Sequence, residues 1–189
     1  MRPLIVCVSL SLAACSGQGA ASPTSPSRTP AAPALSQATD STAQASGGEQ
    51  LPFKGSFTVT TTGRPNCPPT CPPTTLHIEG TQEGTATHLG RFTAVSLDTV
   101  DMATTTSTGT LHLTAANGDR LLTTTTGRED QFVPPNISHV TVVATVVGGS
   151  GRFAGATGTL TIRQVTEIDF ALGRSSGTGS IDGHIVLSN

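Results

Sequence analysis

The side chains best suited to bind a metal or move a proton near neutral pH are five histidines: His77, His88, His112, His139 and His184. Their spacing fits neither role. None stand four residues apart as on a helix, or close together in a short loop, as zinc ligands do. His77, His112, His139 and His184 fall on the phase opposite the neighbouring apolar residues, which predicts solvated strand faces. The carboxylates in or near strands are Glu79, Glu83, Asp98, Asp101, Glu167 and Asp169. Asp98 shares the phase of Phe92 and Ala94. Val95 and Leu97 fall out of that phase, so a bulge is expected in this strand and Asp98 is expected to turn outward. Ser150 and Ser176 lie among glycines, but no Gly-x-Ser-x-Gly elbow followed by a helix is present. No catalytic residue is assigned, and no metal site or organic cofactor is expected.

Cys67 and Cys71 lie in "RPNCPPTCPPTT". Two thiols do not complete a zinc site, and no helix start is there to activate a redox thiolate. In an exported chain the pair is expected to form a local disulfide. Export follows from the N-terminus. "MRPLIVCVSLSLAAC" has a basic start at Arg2, an apolar stretch, then Leu12-Ala13-Ala14-Cys15. It is too short for a permanent membrane span, which needs about 20 apolar residues. It resembles the bacterial lipoprotein signal, in which the chain is cut before the cysteine and that cysteine is lipidated. The resemblance implies removal of residues 1–14, Cys7 included, and a lipid on Cys15 that anchors the protein to a membrane. Ser16, rather than Asp, follows the cysteine. This implies the outer membrane in a Gram-negative host, and the outer face of the plasma membrane in a Gram-positive one.

The glycines of "VVGGSGRFAGATGTLTI" raise the prospect of a phosphate loop. A dinucleotide loop needs a strand, the glycines, then a helix whose N-terminus meets the pyrophosphate. A strand precedes Gly148, but β-branched, alternating sequence follows Gly158, and nucleotide binding is excluded. The glycines predict a tight strand connection, with Phe153 packed back on the end of the domain. A net charge of −2 provides no basic face, which excludes nucleic acid as a partner.

The elements that must position these residues are strands. The chain has 189 residues, 35% hydrophobic and 12% charged, with abundant Thr and Val and no Trp or Tyr. Residues 15–50 carry the lipidated cysteine and a Ser/Thr/Ala/Pro-rich segment, which predicts a disordered tether. Residues 51–189 form the expected domain. Alternation predicts strands in "FKGSFTVT", "TLHIEGT", "RFTAVSLDTVDM", "GTLHLTA", "RLLTTTT", "ISHVTVVATVV", "GTLTIRQVTEIDF" (in phase through Phe170) and "GTGSIDGHIVL". "NGD" at Asn117 marks a hairpin turn. About eight meandering strands without helices predict an all-β fold, a closed eight-stranded antiparallel barrel, with a two-sheet sandwich as its rival. A transmembrane barrel would want aromatic girdles that the composition does not supply.

The run Gly148, Gly149, Gly151, Phe153, Gly155 and Gly158, between two strands near the C-terminus, resembles the motif of the allene oxide cyclase family. Dirigent proteins carry a looser version. "GTATHLGRFTAVS" is similar to a hairpin of bacterial secreted proteins with the same barrel. The resemblance implies an eight-stranded barrel that takes a small hydrophobic ligand, often as a homotrimer, without cofactor. The cyclases use acidic and amide side chains near the first strands. "FKGSFTVTTT" has none of them, so no catalytic residue carries over. The expected function is a lipid-anchored envelope module that binds a small hydrophobic molecule or a partner without catalysis. The alternatives are a cofactor-free cyclase, isomerase or dirigent-like enzyme, and a structural envelope protein with a filled barrel. What lines the interior separates the three.

Overall fold

A computed structural model describes residues 48–66 and 73–188. Cys15, Cys67 and Cys71, and with them the expected lipid site and disulfide, lie outside the described residues, as do the signal and nearly all of the tether.

Eight strands follow in order: β1 (Gln50–Pro65), β2 (Thr75–Ala86), β3 (Gly90–Asp101), β4 (Thr106–Ala115), β5 (Arg120–Val133), β6 (Ile137–Ser150), β7 (Thr157–Asp169) and β8 (Arg174–Val186). Each pairs antiparallel with the next, and β8 pairs with β1, from Gln50↔Val186 to Thr62↔Arg174. The expected closed antiparallel barrel is therefore the fold. Closure gives every strand two neighbours, so none is left as an unpaired edge. Alternation then has a single meaning: one phase faces the barrel interior and the other faces solvent.

The two ends of the barrel differ. Strand β1 starts and β8 finishes at one end, together with the β2–β3, β4–β5 and β6–β7 connections. That end is plugged. Phe53, Leu89, Leu113, Leu121, Phe153, Leu160 and Ile185 are all buried there. Phe153 belongs to the 3₁₀ turn Gly151–Phe153 that follows β6. The Arg152 guanidinium lies 5.3 Å from its ring centroid and 3.1 Å from Asp119. Gly151 has φ +60°, and a Cβ there would overlap the Asp119 carboxylate, so glycine is required at the corner. The hairpin glycines thus close the barrel end.

Two expectations are corrected. Strand β3 is unbulged: its register runs unbroken from Gly90 to Asp101 against β2, and from Phe92 against β4. Val95 and Leu97 are simply on the outer face, 53% and 54% exposed. The register shifts lie between β5 and β6, at Leu122/Thr123 and at Glu129/Gln131. Phe170 does not continue the inward phase of Ile168. It follows the end of β7, in the turn, and is 66% exposed.

Candidate functional site

Because β3 is regular, Asp98 points into the barrel, in phase with the buried Phe92, Ala94 and Ser96. The residue reaches across a neighbouring strand. Asp98 pairs with Gly109 on β4, and Gly109 pairs with Thr125 on β5. A Cβ at Gly109 would overlap both Leu97 O and the Asp98 carboxylate. With no side chain there, the carboxylate lies over β4, and the Thr125 hydroxyl donates to Asp98 Oδ1 at 2.9 Å. Burial pushes the Asp98 carboxyl pKa up, against the hydrogen bonds from Thr125 and Ser96 that hold it down.

Asp98 belongs to a polar lining that continues around the open end. Ser138, buried on β6, donates to Glu129 Oε1 at 2.6 Å. Thr61 and Ser175, facing each other across the β1–β8 seam, are 2.7 Å apart through their hydroxyls. Gln164 and the buried Thr166 hold the inward phase of β7. Deeper, Gln82 is buried next to Val59 and Ala94 in the register. Its Oε1 has no hydrogen-bond partner. A buried acceptor without a donor costs about 1–3 kcal/mol, so such an atom asks for a partner that the barrel wall does not supply.

Solvent enters at this end. The inward-facing Asp98, Glu129, Gln164, Ile78 and Val100 are only half-buried, whereas Phe53, Leu113, Leu121, Leu160 and Ile185 toward the other end are fully buried. Around the rim, Phe132 and Phe170 meet edge to face with centroids 6.3 Å apart, and Val133 and Leu172 are exposed beside them in the chain. The mouth therefore has an apolar lip and an acceptor-rich wall. A recess of about 400 Å³ lies elsewhere, on the outer face between β5 and β8, lined by His139, Thr141, Arg163, Val165, Thr178 and others. There the Thr141 hydroxyl and the Arg128 guanidinium hold the Asp130 carboxyl below its ordinary value.

The histidines stay apart. His77, His112, His139 and His184 face outward on four different strands. Among the described residues no three His, Cys, Asp or Glu side chains gather to hold a metal ion. The motif glycines, Gly148 to Gly158, and Phe153 lie at the plugged end, remote from the mouth. Sequence reasoning missed Gln82, Ser96, Thr125, Glu129 and Ser138. Their inward phase was visible, but polar residues in that phase gave no reason to gather them in one place.

No protein-family model matches the chain, and no curated protein does. Among solved structures the chain is similar to a pterocarpan synthase dirigent protein, at a TM-score of 0.47 and 13% identity, over 75% of this chain and 93% of that one.

Proposed function

We propose that this protein is an envelope lipoprotein of the allene oxide cyclase and dirigent-like barrels, and that its barrel takes a small amphipathic molecule at its open end. The lipid anchor rests on the signal that ends at Cys15. The family reading rests on the closed meander together with the glycine hairpin. The binding reading is carried by one observation: a buried Gln82 Oε1 with no donor, inside a barrel whose lining above it is polar and reached by solvent. Apolar parts of a ligand have the rim of Phe132, Val133, Phe170 and Leu172 to contact. Native mass spectrometry of the exported protein tests this. A bound small molecule that is lost in Gln82→Leu is expected. The reading fails if the wild-type protein carries no ligand and takes up none from an extract of its host. The anchor has a separate test: Cys15→Ala should move the protein from the membrane fraction to the soluble one.

Asp98 favours a second reading, a cofactor-free cyclase or isomerase. A carboxyl whose pKa is raised by burial, facing a binding site, is suited to exchange a proton with a bound molecule. A bound ligand recovered unchanged from both the native protein and Asp98→Asn would exclude it. Recovery of a transformed ligand from the native protein alone would support it.

A further inference from the structure

We infer that the open end of the barrel selects a small organic cation, an amphipathic molecule carrying a protonated amine. The inference rests on the reading of the mouth as a binding site and gives its ligand a charge.

The inward polar groups of this end are Asp98, Glu129, Gln164 and a set of hydroxyls, with Gln82 deeper, at the level of Ala94. Among the described residues no lysine, arginine or histidine side chain joins them. Arg64, Arg128, Arg163 and Arg174 are exposed and sit in the outward phase of their strands, one residue away from an inward position. Two carboxylates thus face a partly desolvated space without a countercharge. Their donors are hydroxyls, Thr125 and Ser96 on Asp98 and Ser138 on Glu129 Oε1, and none of them brings a positive charge.

An anionic headgroup would meet like charge there. A neutral headgroup would satisfy hydrogen bonds but leave the charges uncompensated. An ammonium supplies up to three N–H donors and the missing charge together, and that charge is what the hydroxyls on Asp98 and Glu129 do not bring. It would also offset the loss of solvation that raises the pKa of Asp98.

The surroundings agree. Turn and strand-end acids at the mouth, Asp101, Glu167 and Asp169, add to the negative field. Arg64, Arg128 and Arg174 on the outer wall of the same end offset part of that field. The rim rings of Phe132 and Phe170 offer faces to which a cation is attracted and edges against which an apolar body packs.

Three probes share one ring and differ in headgroup: benzylamine (protonated at neutral pH), benzyl alcohol and benzoate. Isothermal titration of the intact exported protein at low salt should show benzylamine binding at least ten-fold more tightly than benzyl alcohol, with benzoate weakest. Asp98→Asn combined with Glu129→Gln should remove that preference about ten-fold while benzyl alcohol still binds, which also reports that the barrel is folded. Glu79→Gln, on the outer face, should leave the preference intact. Benzoate binding as tightly as benzylamine overturns the inference, as does an amine preference that survives the double substitution. In those cases the mouth still binds small molecules. Failure of all three probes to bind overturns the inference, while the binding reading beneath it stands or falls on the mass spectrometry described above.

Discussion

Along one strand after another, the inward positions change character from end to end. On β3 they run Phe92, Ala94, then Ser96 and Asp98; on β7, Leu160 and Ile162, then Gln164 and Thr166. On β4 they run from Leu113 and Leu111 to Gly109 and Ser107, and on β5 from Leu121 to Thr123, Thr125 and Glu129. On these four strands the apolar positions meet toward the plugged end and the polar ones toward the mouth, where Ile78, Val100 and Ile168 stand beside them; β2 departs from the pattern, with Gln82 deeper. Burial of large side chains in one half supplies most of the favourable hydrophobic term. Polar groups and small residues in the other half contribute less of it. One barrel thus separates the half that holds it together from the half where the proposed ligand site lies.

Substitutions can break that separation, and the largest effect is expected in the plug. Leu113→Ala leaves a cavity among fully buried neighbours and should cost about 3 kcal/mol in urea unfolding. A cost below about 1 kcal/mol would mean that the plug is not the main source of stability. Gly109→Val comes next. Its side chain collides with Leu97 O and with the Asp98 carboxylate, so a loss of about 2 kcal/mol is expected by the same measurement.

Thr125→Val removes the donor to Asp98 and should cost about 1 kcal/mol. It should also raise the Asp98 pKa further, read by carboxyl-carbon NMR titration; an unchanged pKa would show that the hydrogen bond does not form in solution. Asp98 also sets a pH dependence. Its folded pKa lies above the ordinary 3.8, so the folded chain holds the proton more tightly than the unfolded chain. The stabilising contribution is present below about pH 3.8 and is lost as pH rises through the folded value. Asp98→Asn should therefore match the native protein in acid and exceed it at neutral pH. A constant difference between the two across that window would refute the raised pKa. Phe170→Ala, at the exposed lip, should change stability by no more than about 0.5 kcal/mol, while weakening any ligand that packs there.

Much of the fold was legible. Phe53, Phe57 and Val59 in strict alternation, and Leu160 and Ile162 likewise, mark strands whose apolar side must be buried. Glycines followed by β-branched residues ruled out a helix after Gly158. The site was not legible, for two reasons. Val95 and Leu97 are exposed apolar residues on a regular strand, and they imitated a bulge that would have turned Asp98 outward. The polar inward residues are also scattered in sequence: Thr61 and Asp98 come late in their strands, Ser138 and Ser175 early in theirs. Antiparallel pairing reverses each second strand, so late and early positions arrive at the same end.

By itself the sequence determined the run of about eight strands and most of their faces, because alternation and turn residues act locally; it favoured a closed barrel over a two-sheet sandwich. It also carried the resemblance to a lipoprotein signal in the run that ends at Cys15. Only the tertiary structure decided that the barrel has a plugged end and a polar mouth. Single strands carry the gradient, but only their pairing brings the like ends together. The asymmetry depends on register across Gly109, where a missing side chain lets a β3 carboxylate reach a β5 hydroxyl, and on closure of β8 onto β1, which joins Thr61 to Ser175 across 114 residues of chain.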